Sequence, residues 1–201
     1  MKKYYLEILS LVMLGMISAC AVFCKQLGLV QRVMLGYMFL FTLHEWEENR
    51  FPGGFSALMA GFFGIRITAE QEAAAHIPGG VLLILITFIP FFTQSGLIAL
   101  IPVYLGIFEA IVHVAGIKLH RMDKPYTPGM ITALCLCAAS VCVLIVFSGQ
   151  QIVRGAEFGW GVLLMFLCFF AMQRSVIAIF RLSYKDLVKT AKGKIKEIRR
   201  R

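Results

Sequence analysis

The chain has 201 residues, 59% of them hydrophobic and only 15% charged, with a mean hydropathy of +0.80. That balance excludes an ordinary water-soluble domain and points to an all-α, polytopic helical bundle in lipid. The net charge of +9 would suggest nucleic acid as a partner, except that Lys185, Lys189, Lys192, Lys194, Lys196, Arg199, Arg200 and Arg201 concentrate at the C-terminus. A basic tail directly after a membrane span serves orientation and contact with anionic lipids, so nucleic acid is set aside.

Met1-Lys2-Lys3 followed by apolar residues 6–24 resembles a secretory signal, but Cys24-Lys25-Gln26-Leu27 offers no small-residue cleavage site. The segment reads as a retained first span. Crossing the hydrocarbon core takes about 20 apolar residues, and six stretches qualify: 6–24, 27–44, 69–92, 97–119, 130–147 and 158–180. The second is interrupted by Gln31 and Arg32, the latter long enough to snorkel to the interface. Residues 55–65 are apolar but too short to cross, so they read as interfacial or re-entrant.

Helix punctuation agrees with these limits. Thr68-Ala69-Glu70-Gln71 forms a capping box ahead of the third span. Thr127-Pro128 supplies a cap and a first-turn proline for the fifth. Pro78 and Pro102 fall inside spans and are expected to kink them, which is tolerated where the backbone lines a cavity. The six cysteines (Cys20, Cys24, Cys135, Cys137, Cys142 and Cys168) all lie in apolar spans and read as buried free thiols. The organisation expected is one bundle domain over residues 1–181 and a basic cytoplasmic tail over 182–201.

Charge orients the bundle. Cytoplasmic termini place Lys2, Lys3, Arg50, Arg66, Lys118, Arg121, Lys124 and the tail on one side, leaving Lys25, Arg32 and Arg154 on the other. The positive-inside rule selects that arrangement. The expectation is a multi-pass protein of a bacterial-type plasma membrane, with an even number of spans.

Within this frame, three of the four histidines stand four residues from a glutamate: His44 and Glu48, Glu72 and His76, Glu109 and His113. Residues four apart share a helix face. Ionisable groups in lipid are costly and mark function, and the predicted topology puts all three pairs in the cytoplasmic half. His113 lies six residues, roughly 9 Å, from the inner end of its span at Leu119. Imidazole and carboxylate together suit zinc, iron or manganese, and the candidate ligands His44, Glu48, Glu72, His76, Glu109 and His113 suffice for one or two divalent ions. Glu47 and Glu48 are the candidate general bases, with Glu47 also a candidate behind the ligands.

Other polar residues have more ordinary readings. Glu45 and Glu70 are expected to face water, and Trp46 to anchor at the interface. His120, beside Arg121 and Lys124, reads as a headgroup residue with a substrate role as the alternative. Arg50 either pairs with Glu47 or holds an anionic substrate. Arg174, beside Gln173, either faces the interior as a counter-ion or snorkels.

His44-Glu45-Trp46-Glu47-Glu48 spells H-x-x-E-E, and the chain resembles the HXXEE membrane-protein family, whose function is unknown. The later Glu/His pairs and Thr127-Pro128-Gly129 resemble that family's pattern over residues 27–180. The resemblance implies a fold and a polar centre but no reaction. Glu47-Glu48-Asn49-Arg50 bears a looser likeness to the paired glutamates of CAAX-type intramembrane proteases, but the arginine falls two positions early.

Three functions compete. A metal-dependent enzyme acting on a lipid or other amphiphile explains the charged residues in lipid best, by zinc hydrolysis or di-iron oxidation. A proton or metal transporter needs a polar path across the whole membrane, whereas the outer ends of the third and fourth spans offer only Thr93, Gln94 and Ser95. A structural or interaction role needs only milder polar contacts. Reporter fusions at Pro128 and Arg201 are expected to report the same, cytoplasmic side; opposite sides would refute six spans.

Overall fold

The computed structural model describes residues 4–120 and 122–199, without the side chains of Asp186, Lys194, Ile195, Glu197, Ile198 and Arg199. Lys2, Lys3, Arg121, Arg200 and Arg201 of the charge pattern therefore lie outside the described residues. Among the described residues the chain is all helix: α1 (Tyr5–Phe23), α2 (Leu29–Asn49), α3 (Phe55–Phe63), α4 (Ala69–Thr93), α5 (Gly96–Leu119), α6 (Met130–Gly149), α7 (Glu157–Ile179) and α8 (Tyr184–Arg199).

Helices α1, α4, α5, α6 and α7 are long and apolar enough to cross a membrane. Their outward residues are apolar, with Leu11 75% and Ile145 67% exposed, as lipid rather than water requires. The fold is a helical membrane bundle. The expected second span, α2, differs from these five in composition. At 21 residues α2 has the length, roughly 30 Å, but Gln31, Arg32 and its C-terminal glutamates leave it short of the apolarity of the other five. It is sheltered instead by α1, α4, α5 and α6, against all of which it packs. It also runs through Asn49 rather than ending at His44, because the polar residues of its last turn find partners in the bundle.

Sequence periodicity explains how α2 and α5 meet. Buried positions on α2 run Val30, Met34, Tyr37, Phe41, His44, and on α5 run Ala99, Val103, Gly106, Ala110, His113. Both step by four and three residues, the spacing of a helical seam, and both carry a histidine one step before their last buried residue, Glu47 and Gly116. Between them, Tyr37 Oη and Ser140 Oγ of α6 lie 2.7 Å apart in the buried core. Gly106 permits that approach: a Cβ there would stand 2.7 Å from Ser140 Oγ. Small residues at such crossings let membrane helices pack backbone to backbone.

The third pairing rests on Gly161 of α7, where a Cβ would meet Leu100 Cβ of α5 at 2.6 Å. The remaining core is apolar, with Met13, Met34, Met38, Phe41, Leu100, Leu136 and Phe147 fully buried.

Several local expectations are met. The Thr68 hydroxyl accepts from Gln71 N–H at 3.2 Å, and the Gln71 side chain accepts from Thr68 N–H at 3.1 Å, closing the capping box. The helices continue through Pro78, Pro90 and Pro102. Within residues 55–65, Phe55–Phe63 form a short helix, α3, that Gly64 ends. The cysteines depart from expectation: Cys20 is buried, Cys137 and Cys168 are half-buried, and Cys24, Cys135 and Cys142 are exposed. A thiol is apolar enough to face lipid as readily as core.

The basic tail is helical. Lys185, Lys189, Lys192 and Lys196 of α8 are exposed, whereas Leu187, Val188 and Ala191 turn towards the bundle. That is the pattern of a helix lying along a membrane surface.

Gly161→Ala is expected to destabilise the protein by about 1–3 kcal/mol through overpacking. Gly15→Ala on α1, where nothing lies within 4 Å, should be neutral or stabilising by up to about 1 kcal/mol. Thermal unfolding in detergent compares them, and equal midpoints would refute the close α5–α7 approach.

Candidate metal centre

The two seams bring His44 and Glu48 of α2 against Glu109 and His113 of α5. One donor atom from each lies within 4.8 Å of the other three. His113 Nε2 is 3.1 Å from Glu48 Oε1 and 3.9 Å from Glu109 Oε2, while His44 Nε2 is 3.6 Å and 3.9 Å from the same atoms. The imidazole rings meet edge to face with centroids 5.2 Å apart. Around a tetrahedral ion with ligands at roughly 2.1 Å, donors stand about 3.4 Å from one another. The cluster can therefore hold a divalent ion with little movement.

The outer nitrogens establish what the inner ones present. His113 Nδ1 lies 3.0 Å from Thr127 Oγ1, and that hydroxyl donates to the His113 carbonyl at 3.2 Å. With its proton so used, Thr127 accepts from Nδ1–H, which leaves Nε2 without a proton. His44 repeats the arrangement. Its Nδ1 lies 3.0 Å from Thr132 Oγ1, whose hydroxyl donates to Glu47 Oε2 at 2.5 Å. Both Nε2 atoms thus face two carboxylates, and among the described residues His113 Nε2 is a buried polar atom with no hydrogen-bond partner. Such a nitrogen calls for a cation.

Glu47 stands behind the cluster. Its Oε1 accepts from Ile131 N–H at 3.1 Å and Tyr126 O–H at 2.9 Å, and its Oε2 from Thr132 N–H at 2.8 Å as well as the Thr132 hydroxyl. A carboxylate on the first amides of α6 is favoured by the helix dipole. Both oxygens are occupied, so the residue expected as a base is a clamp that reaches His44 through Thr132. Tyr126, in the connection ahead of α6, has its phenol pushed up to about 12, first by burial and then by the Glu47 carboxylate beside it. It remains a donor.

The Thr127-Pro128-Gly129 turn is also corrected. Thr127 is buried against His113 rather than capping α6, and Gly129 takes the cap position at φ +94°. A Cβ at Gly129 would stand 2.6 Å from Glu48 Cγ and 2.7 Å from His113 Cε1. Glycine there combines a left-handed backbone with contact against two of the four donors.

Glu72 and His76 do not join the four. His76 stacks on Tyr5 of α1 with centroids 5.0 Å apart, and Glu72 is half-buried one turn earlier on α4. Arg50 is exposed, pairs with Glu7 at 2.5 Å and lies over the Trp46 ring at 5.2 Å. It thus engages neither Glu47 nor the centre. Trp46 donates to Ser10 Oγ at 2.7 Å, within the bundle. His120 packs on Phe62 of α3 with centroids 5.1 Å apart, away from the cluster. Arg174 is exposed on the outside of α7 rather than an interior counter-ion.

Glu45 was expected to face water. It is half-buried, hydrogen-bonded by the Tyr5 hydroxyl and by Asn49 Nδ2 at 3.2 Å. Its spacing of three from Glu48 is the signal that places both on one helix side. Glu45, Glu48 and Glu109 line a cavity of about 440 Å³, whose further walls come from α3, α4, α7 and α8. The imidazoles sit behind the carboxylates: the His44 and His113 side chains are 4% and 0% exposed, those of Glu48 and Glu109 13% and 20%. Phe55 of α3 packs on the His113 ring at 5.2 Å.

Comparison of the chain with protein-family models, curated proteins and solved structures finds no match.

Glu47→Ala is expected to lower stability by about 2 kcal/mol or more, since it leaves the Ile131 and Thr132 amides without acceptors. Glu47→Gln, which keeps one acceptor oxygen, should recover part of that loss. Helical circular dichroism during thermal unfolding reads both; an unchanged midpoint for Glu47→Ala would refute the clamp.

Proposed function

We propose that the protein is a metal-dependent membrane enzyme, holding one divalent ion on His44, Glu48, Glu109 and His113 and acting on a lipid or other amphiphile. The observation that carries the reading is the convergence of two imidazole Nε2 atoms, that of His113 without a hydrogen-bond partner among the described residues, on two carboxylates inside a lipid-embedded bundle. Two carboxylates this close repel one another without a cation. Four donors suit a single ion, since Glu72 and His76, which a second ion would need, stand apart on α4. Mixed nitrogen and oxygen donors suit zinc, iron or manganese.

A bound ion of this kind supplies Lewis acidity and activates water or oxygen. The chain's own contribution divides by position. His44 and His113 are held in one tautomer by Thr132 and Thr127. Glu48 and Glu109 bring the site to the cavity wall. With Glu47 occupied at α6 and Glu48 among the donors, Glu45 is the carboxylate left to accept a proton from a reacting group. The apolar remainder of the cavity supports an amphiphilic substrate. The charge pattern supports cytoplasmic termini and a site open towards the inner leaflet. Membership of the HXXEE family belongs to the same proposal.

Elemental analysis of the purified protein tests it. About one ion per chain is expected in wild type and in His76→Ala. Occupancy should fall roughly 10–100-fold in His113→Ala, Glu109→Ala and Gly129→Ala. A wild type without metal after metal-supplemented expression, or full occupancy in a folded His113→Ala protein, would overturn the reading.

A further inference from the structure

The cavity beside the centre is chemically lopsided. Its acidic end presents Glu45, Glu48 and Glu109, with Asn49 and His76 close by. Away from that end the wall is mostly apolar, built from Phe108 of α5, Phe169, Met172 and Val176 of α7, and Leu187 and Val188 of α8, with Gln173 and Tyr184 as uncharged polar members. Among the described residues that line it there is no lysine or arginine. The basic side chains nearest in sequence are turned elsewhere: Arg50 is paired with Glu7, and Arg174, Lys185 and Lys189 are exposed.

These features restrict the head group. A phosphate, sulfate or carboxylate head entering here would lose its hydration without gaining a cationic side chain, and the Glu48 and Glu109 carboxylates offset the charge of the ion proposed between them, so the transfer is costly. A quaternary ammonium would approach the divalent ion proposed for the centre. An uncharged hydroxyl, ester or amide head is neither repelled nor left without partners, because Glu45 and His76 line the same end as hydrogen-bonding groups. The volume, about 440 Å³, falls within the roughly 300–1,000 Å³ of small-molecule sites.

We propose that this cavity takes a single-chain amphiphile with an uncharged head, the head at Glu45, Glu48 and Glu109 and the chain between α5, α7 and α8. The proposal rests on the metal reading above for the exclusion of cationic heads. The exclusion of anionic heads rests on the lining alone.

The test uses the full-length protein in lipid nanodiscs with two photoreactive probes of equal chain length, a diazirine-bearing hexadecanol and the matching hexadecyl sulfonate. Labelling of peptides containing Met172 and Leu187 is read by mass spectrometry. It is normalised to the peptide containing lipid-facing Ile145, which corrects for unequal partitioning. The alcohol is expected to label the cavity at least about tenfold more than the sulfonate, a difference of about 1.4 kcal/mol. Met172→Trp, which fills the chain end, should remove most alcohol labelling while leaving metal content unchanged.

Equal labelling by the two probes in wild type would overturn the proposal, as would full alcohol labelling in Met172→Trp. Metal content measured on the same samples separates the two readings. Alcohol-selective labelling without metal sinks the metalloenzyme and leaves the head-group selectivity standing, whereas unselective labelling with metal present sinks the selectivity alone.

Discussion

The Glu47 carboxylate joins two parts of this protein that the chain itself keeps about 80 residues apart. It comes from the last turn of α2 and accepts the first amides of α6, the hydroxyl of Thr132 and the phenol of Tyr126. At a helix N-terminus inside a membrane protein those amides have little water to turn to. A carboxylate placed there satisfies them and finds its own charge balanced by the helix dipole. The same contact orients His44, since Thr132, committed to Glu47, presents its oxygen to Nδ1. A clamp between helices and a tautomer choice are thus one interaction.

His113 is held by a parallel device with a different origin. Thr127 sits just ahead of α6, and its hydroxyl turns back to the His113 carbonyl and receives the Nδ1 proton. Between these two threonines lies Gly129, whose left-handed conformation lets the chain pass against Glu48 and His113 with no side chain in between. The turn before α6 and the first turn of α6 therefore act together as a template for the centre: a threonine for each imidazole and a glycine where the chain must come closest. In a bilayer, where a stray charge is costly, such over-determination keeps two carboxylates and two imidazoles in one place.

The cavity follows from the same geometry. α3, too short to cross, lies at the cluster's end of the bundle with Phe55 against His113. α8 brings apolar side chains to the cavity while exposing lysines outward. A short apolar helix and an amphipathic helix are both elements that rest at a membrane surface. Here they wall a space that has carboxylates at one end and mostly apolar side chains along its length, the contrast on which the proposed amphiphilic occupant rests.

By itself the sequence determined the membrane class, the limits of the helices to within a few residues, and four of the donors. Those properties are local: apolar length makes a span, and a spacing of four puts His44 with Glu48 and Glu109 with His113 on one helix face. It did not separate the third pair, since Glu72 and His76 have the same spacing, and only the packing of α4 against α1 sends that imidazole onto Tyr5. Nor did it reveal that Glu47 caps α6, that Thr127 and Thr132 orient the imidazoles, or that Glu45 turns to the cavity. Each of these is a contact between helices, most of them tens of residues apart, and periodicity within one helix carries no information about what stands opposite. Tertiary structure decided which polar groups meet, because burial leaves each of them only the partners that the neighbouring helices bring within reach.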